Sequence, residues 1–349
     1  MNQHRRQLLK ASVAAALFPA LVNTTVEAAP LSEVTGIRII QDSNPMAVLQ
    51  SVSAPGFTES LSRAVYGFVL ENYATGNLPV WKLPLSQVDL STRISAISEQ
   101  VVRSVQIHSR IYPVDPCWLM GQIMAESFFN EFAVSSALAV GVCQFIPATA
   151  RQYKMICADQ HLSDPSLIRR ADLEQDAKRA PEYQQQMKDL RANYKDLFNK
   201  PEQTLRSVLS AMLSGQPFPQ AASYSQAFDL MDLLKEQYTN TRNSYKQYLQ
   251  ANFQGRSIFA AADIRFFEKF EQRVLYPYAV DAMVKLMADL LRGRNGNILA
   301  ATAGYNAGPG RTDYPTGVYS LYGRVPDISE TADYVSKILI NHHEITRRM

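Results

Sequence analysis

Apolar residues recur at helical spacing along most of the chain. Before Pro113, for example, Ile94, Ile97, Val101 and Val105 lie three or four residues apart, which places them on one face of a helix. No alternating run is long enough to predict a convincing strand. The predicted fold class is therefore mainly α. The helical stretches are 59–72, 92–112, 116–126, 187–197, 205–212, 228–234, 278–291, 297–305 and 329–345.

A capped helix that ends at Glu126 contains the first candidate for chemistry. Asp115 can accept hydrogen bonds from the free amides of the first turn, and Pro116 is tolerated at the first helical position. Burial of the apolar face would fix the Glu126 carboxyl in place, and apolar neighbours would raise its pKa. Cleavage of a glycosidic bond requires a carboxyl that keeps its proton near neutral pH. A glutamate that only caps a neighbouring loop is the alternative.

Three segments, in this order, resemble the soluble lytic transglycosylase family, whose fold is related to goose-type lysozyme. They are Ala-Glu-Ser-Phe-Phe-Asn at 125–130 with the loop and glutamine at 133–145, Ala-Gly-Tyr-Asn-Ala-Gly-Pro-Gly at 303–310, and Glu-Thr-Ala-Asp-Tyr-Val at 330–335. The resemblance covers 111–153 and 276–345, about a third of the chain. It implies a lysozyme-like helical transglycosylase domain.

The resemblance also implies a reaction on peptidoglycan with one essential carboxylate and no cofactor. Glu126 would protonate the oxygen between N-acetylmuramic acid and N-acetylglucosamine, and would then take the proton of the muramoyl 6-hydroxyl. The product would be a 1,6-anhydro sugar, with the acetamido group of the substrate stabilising the cation. The positions matched to residues that bind the sugar chain or shape the site are Ser127, Ser135, Gln144, Tyr305, Asn306 and Glu330. Turn formation, packing and helix capping are the alternative roles of these side chains.

The chain departs from the family pattern in the loop after Glu126 and in the spacing of the motifs. Leu138-Ala139 stand where family members usually have glycine-alanine, and Val142-Cys143 where they have leucine-methionine. Because glycine tolerates backbone conformations that leucine does not, this loop is predicted to differ in shape. The spacing between Glu126 and Tyr305, about 180 residues, predicts a helical insertion at about 156–275.

The first 28 residues have the features of an export signal, with a basic start, an apolar run at 11–22 and small or aliphatic residues at 26–28. Arg5-Arg6 resemble a twin-arginine signal, and ordinary Sec export is the alternative. The mature protein is therefore predicted to be periplasmic, without a stable membrane span. Residues 29–90 are predicted to form an N-terminal arm, and 91–349 the interrupted transglycosylase domain.

Charge and cysteine content argue against several other classes. The formal charge of +3 falls to +1 without residues 1–28, which hold three basic residues and one acidic residue. A near-neutral protein gives no electrostatic reason to bind nucleic acid. The spacing of Cys117, Cys143 and Cys157 matches no metal site, so no metal is predicted. Buried thiols are the better interpretation, although one disulfide is possible.

Two other functions remain open on the sequence. A lysozyme-like hydrolase would use a positioned water and a second carboxylate, for which Asp115 and Glu131 are the candidates. A non-catalytic component that binds the wall or assembles a secretion machine would keep the fold and the groove. Glu126 and the residues matched around it favour an enzyme, whereas Leu138 favours the binding component. The insertion would thicken the scaffold, roof the groove or dock an envelope or secretion-machinery protein.

Overall fold

The computed structural model describes residues 38–160 and 171–349, and the predicted export signal lies outside them. The mainly α fold class is confirmed, because these residues contain helices and only isolated β-bridges, with no strand. Ile39–Met349 form one compact unit. The α-helices are α1 Pro45–Val52, α2 Phe57–Tyr73, α3 Leu90–His108, α4 Pro116–Ser127, α5 Pro147–Gln152, α6 Ala171–Asn193, α7 Lys195–Asn199, α8 Pro201–Leu213, α9 Ala221–Phe253, α10 Ala261–Phe270, α11 Tyr276–Gly293, α12 Ile298–Ala307, α13 Tyr319–Tyr322 and α14 Ser329–Thr346.

Helix α4 lies in the centre of the core and packs along α14. Its N-terminus is capped as the sequence predicts, since the Asp115 carboxylate accepts a hydrogen bond from the Cys117 amide (2.8 Å). The same carboxylate pairs with His342 of α14 (2.7 Å). Trp118 is buried and donates a hydrogen bond to Thr302 of α12 (3.0 Å). These contacts fix α4 at its N-terminal end and along its length.

Helices α2 and α3 complete the packing around α4. Helix α3 buries the apolar face that its sequence pattern predicts, and it packs against both α2 and α11. The segment before α3 also reaches the end of α4, because Trp81 donates a hydrogen bond from Nε1 to the Phe128 carbonyl (2.8 Å). Residues near the N-terminus therefore support the turn that follows Glu126.

Between Ile156 and Gln272 the described residues form a further group of helices, which also packs on the rest of the unit, because the Phe132 ring contacts those of Phe253 (5.4 Å) and Phe267 (5.6 Å). Helices α6 and α9 lie side by side and enclose their own small apolar core. The chain leaves and returns at one place, since the Gln272 amide donates to the Ile156 carbonyl (2.9 Å) and the Ile156 amide donates to the Gln272 side chain (2.9 Å). The buried residues of the core between α6 and α9 are Met187, Leu190, Leu197, Ala227, Met231 and Leu234.

Within the described residues, no helix is long and apolar enough to cross a membrane.

Candidate active site

Glu126 lies in the last turn of α4, with part of its side chain open to solvent. The helix ends at Phe128, whose left-handed backbone (φ 51°) lets its amide donate to the Met124 carbonyl (3.0 Å). The Tyr334 hydroxyl of α14 donates a hydrogen bond to Glu126 Oε1. Burial raises the pKa of Glu126 to about 7, although the hydrogen bond from Tyr334 acts in the opposite direction. Both protonation states of Glu126 are therefore accessible near neutral pH.

Tyr334 is held in turn by Gln122, one helical turn before Glu126. Gln122 donates from Nε2 to the Tyr334 oxygen (3.0 Å), which leaves the single phenolic hydrogen for Glu126. Burial and the neighbouring Glu126 raise the pKa of Tyr334 well above its usual value, so the phenol remains a donor. Sequence reasoning gave Tyr334 no role. The available signal was its place one turn after Glu330, on the buried side of α14.

Replacement of Tyr334 by phenylalanine should raise the pKa of Glu126 above about 7, by about 1, because the hydrogen bond favours the carboxylate. A carbon-13 NMR titration of the glutamate carboxyls measures this directly, with Glu126→Gln assigning the signal. Tyr305→Phe is the matched control, because the Tyr305 hydroxyl donates to a backbone carbonyl instead. An unchanged or lower Glu126 pKa in Tyr334→Phe would contradict this arrangement.

Ser127 and Tyr305 both bind backbone carbonyls of the site loop, defined here as residues 133–145. Ser127 is fully buried and donates to the Val142 carbonyl (3.0 Å). The Ser127 side chain does not reach the surface in this conformation, so of the two roles that the resemblance implies the geometry favours shaping the site. Contact between Ser127 and substrate stays a prediction. Tyr305 of α12 donates to the Cys143 carbonyl (2.7 Å) and is partly exposed. Both residues set the shape of the site loop.

Ser135 and Gln144 stabilise the site loop from within. The Ser135 hydroxyl accepts hydrogen bonds from the amides of Ala137 (3.1 Å) and Ala139 (3.0 Å). Gln144 has a left-handed backbone (φ 49°) and donates from Nε2 to the Gly141 carbonyl (2.9 Å). Ser135 and Gln144 are both partly exposed. Contact with substrate remains a prediction for them.

Asn306 and Glu330 lie at the surface, where α12 and α14 meet. The Asn306 side-chain oxygen accepts a hydrogen bond from the Thr331 hydroxyl (2.9 Å), which joins the end of α12 to the first turn of α14. Glu330 is exposed one turn before Tyr334. It therefore lies on the same side of α14 as the tyrosine that holds Glu126. Binding of substrate by Asn306 and Glu330 stays a prediction.

Neither of the two carboxylates considered as a partner for Glu126 is available. Asp115 caps the opposite end of α4, eleven residues away, which is about 16 Å along a helix. Glu131 is fully buried and forms an ion pair with Arg93 (2.6 Å). The Tyr276 hydroxyl also donates a hydrogen bond to the Glu131 carboxylate (3.4 Å). A mechanism that uses either group beside Glu126 has no support in this geometry.

The described residues contain no group of three or more His, Cys, Asp or Glu side chains placed to hold a metal ion. Cys117, Cys143 and Cys157 are buried free thiols, as the sequence favours. Burial, followed by the nearby Glu126, raises the pKa of Cys143 well above its usual value. This thiol therefore acts as a small apolar side chain next to the acid.

A row of aromatic rings leads away from Glu126. The Tyr305 ring packs against Phe145 (centroids 5.8 Å apart), and Phe145 packs against Tyr153 (6.0 Å). Tyr153 lines an open cavity of about 420 Å³ together with Tyr278 and Lys285. Phe145 is buried, so the partly exposed Tyr305 and Tyr153 are the rings of this row that are suited to contact with sugar rings.

Comparison with known proteins identifies part of this region. Residues 103–171 match the family model described as a transglycosylase SLT domain. This range includes Glu126 and the site loop, and it ends before Tyr305 and Tyr334. No curated protein and no solved structure matches the chain. The SLT match confirms the resemblance to the soluble lytic transglycosylase family and supports, in general terms, a lytic-transglycosylase-type function that acts on peptidoglycan.

Proposed function

We propose that this SLT-domain protein is a lytic transglycosylase that cleaves the β-1,4 bond between N-acetylmuramic acid and N-acetylglucosamine and forms 1,6-anhydro-N-acetylmuramic acid. One observation carries the proposal. A single carboxyl, Glu126, has a pKa of about 7 and is held by Tyr334 at the end of a buried helix. Because Asp115 and Glu131 are engaged elsewhere, a reaction that needs only one carboxylate fits better than a two-carboxylate hydrolysis.

The proposed reaction uses Glu126 twice. Protonated Glu126 donates its proton to the leaving glycosidic oxygen while the bond to the muramoyl anomeric carbon breaks, and the acetamido group of the substrate stabilises the positive charge at that carbon. The Glu126 carboxylate then takes the proton of the 6-hydroxyl, whose oxygen bonds to the anomeric carbon. Glu126 ends protonated, as it began, and no water is consumed. A pKa near the working pH suits both steps.

The residues around Glu126 have complementary roles in this proposal. Gln144 donates from Nε2 to a backbone carbonyl of the site loop. The side-chain oxygen of Gln144 can then accept a hydrogen bond from a sugar hydroxyl. Tyr305 orients the acetamido group from the edge of the loop. Asn306 and Glu330 contact the strand at the surface, and Ser135 contacts it from the loop. Ser127 acts only through the shape of the loop.

The chemical form of the product tests the proposal. Purified protein without residues 1–28 is incubated with peptidoglycan sacculi, and the soluble fragments are analysed by mass spectrometry. We expect fragments with anhydro ends, which are lighter than reducing ends by one water. Reducing ends would overturn the proposal in favour of a lysozyme-like hydrolase. Binding to sacculi without release of fragments would overturn it in favour of the non-catalytic wall-binding component.

We also propose that the protein acts in the periplasm after twin-arginine export, since its proposed substrate lies outside the cytoplasm. The Arg5-Arg6 pair supports this route. Replacement of both arginines by lysine should retain the precursor in the cytoplasmic fraction. Continued export of this variant would favour the Sec route. The helices between Ile156 and Gln272 are proposed as an insertion in the transglycosylase domain, with a partner in the envelope or secretion machinery as one use.

A further inference from the structure

A buried arginine connects the return of the inserted helices to the site loop. Arg273 follows α10, and its side chain is completely buried. Its Nε and Nη2 groups donate to the two oxygens of Glu271 (2.7 and 2.6 Å), which neutralises the charge. Its Nη1 group donates to the carbonyls of Leu138 (3.0 Å) and Phe145 (2.9 Å). One guanidinium therefore joins two points of the site loop, seven residues apart, to a single carboxylate.

The first of these points is strained. Leu138 has a left-handed backbone (φ 62°), a conformation that residues with a Cβ atom rarely adopt. Such a conformation persists only when its surroundings hold it in place. The hydrogen bond from Arg273 to the Leu138 carbonyl does so directly, and the Leu138 amide donates to the Ser135 carbonyl (3.2 Å).

The backbone of Arg273 also contacts the loop. Gly141 has φ 82°, and a Cβ atom on it would lie only 2.0 Å from the Arg273 carbonyl oxygen. The loop and the 272–274 turn therefore fit together at a distance that only glycine permits. Gly141 lies between the two carbonyls that the arginine side chain binds. Its own carbonyl accepts the hydrogen bond from Gln144.

We infer that Arg273 is a positioning residue that holds the site loop in the conformation that presents Gln144, and that it compensates for the strain at Leu138. Glu271 supports this role, because its second oxygen also accepts a hydrogen bond from the Ala158 amide (3.1 Å). The ends of the inserted helices are thus built into the support of the loop. The effect on activity rests on the proposed function, whereas the effect on loop structure does not.

Hydrogen–deuterium exchange of the mature protein tests the structural part. Arg273→Lys keeps a positive charge near Glu271, but one ammonium group cannot span the carboxylate and both carbonyls. We expect amides at 138–145 to exchange about tenfold faster or more, with α4 unchanged. Arg256→Lys is the control, because Arg256 also pairs with an acid, Asp263 (3.0 Å), but donates from Nε to the Asn252 carbonyl (2.9 Å) instead of to the site loop. Unchanged loop exchange, or equal loss of protection throughout the protein, would overturn the inference.

Kinetics on soluble glycan strands test the functional part. We expect Arg273→Lys to raise KM about tenfold with little change in kcat, since a displaced loop weakens binding. Partial unfolding would instead lower kcat at constant KM, and that result would overturn the positioning role. When Leu138→Gly is added to Arg273→Lys, the raised KM should fall again by at least about threefold, because glycine adopts this backbone conformation without strain. Simple additivity of the two changes would overturn the compensation. If the wild-type protein does not cleave glycan, the exchange experiment alone decides.

Discussion

Glu126→Gln should lower the rate of fragment release from sacculi by about 10³-fold or more and leave the fold intact. Glutamine has the same shape and keeps an oxygen that accepts the Tyr334 hydrogen bond. It can neither donate a proton to the leaving oxygen nor take one from the 6-hydroxyl. General acid–base catalysis contributes about 10²–10⁴-fold for each group involved, and here one group serves both steps. Initial rates at a fixed pH near 7, with circular dichroism of the variant, measure the effect.

Glu99→Gln provides the matched control for this experiment. Glu99 is an exposed residue of α3, so the same chemical change there should leave the rate within about twofold of wild type. A Glu126→Gln variant that retained more than about a tenth of the wild-type rate would contradict the assignment of Glu126 as acid and base. That result would require another proton donor in the groove.

The same substitution should stabilise the protein, and the gain should grow with pH. In the unfolded chain Glu126 loses its proton near its ordinary pKa of 4.5, whereas in the folded protein it does so near 7. Between these values the folded state binds more protons, so the stability of the wild type falls as pH rises. Glu126→Gln has no carboxyl to titrate at this position, so its stability does not fall for this reason. The difference in the free energy of unfolding should be near zero below pH 4.5 and should reach about 3 kcal/mol above pH 7.

Urea unfolding of both proteins from pH 4 to pH 8 measures this difference. Because the other titrating groups are the same in both proteins, their contributions cancel in the comparison. A difference that did not change with pH would show that burial does not raise the Glu126 pKa. A difference that shrank as pH rose would show that the pKa is lowered. The expected sign means that the wild type gives up stability to keep a buried acid ready for use.

The sequence predicts this fold and site where the signals are local. Helix α4 follows from its Asp115 cap, its proline and its apolar positions, and the place of Glu126 in the last turn follows from the end of that pattern. Periodicity also places Tyr334 on the buried side of α14. It does not show which group a buried hydroxyl binds, since that depends on how α4 and α14 pack. The Tyr334–Glu126 hydrogen bond was therefore not predicted.

Two residues that support the site loop from outside it show the same limit. Ser127 matches a family position, but only the structure shows that its hydroxyl is turned inward to the Val142 carbonyl. Arg273 lies 135 residues after Leu138 in the chain, at the edge of a charged region where an arginine is expected to be solvated. Nothing local indicates that it is buried with Glu271. That the loop differs in shape from those of family members stays a prediction; the structure shows only that Leu138, which stands where the family pattern has glycine, has a left-handed backbone.

The hydrogen bonds that join Ile156 to Gln272 bring the two ends of the intervening chain together. Because lengthening a connection whose ends already meet costs little chain entropy, we expect insertions to be tolerated where the intervening helices do not pack on the rest of the protein. The helices α6 and α9, which enclose their own apolar core, are such a place, whereas Phe253 and Phe267 pack against Phe132 and must be retained. The junction must also be retained, because Glu271 and Arg273 flank Gln272 on either side.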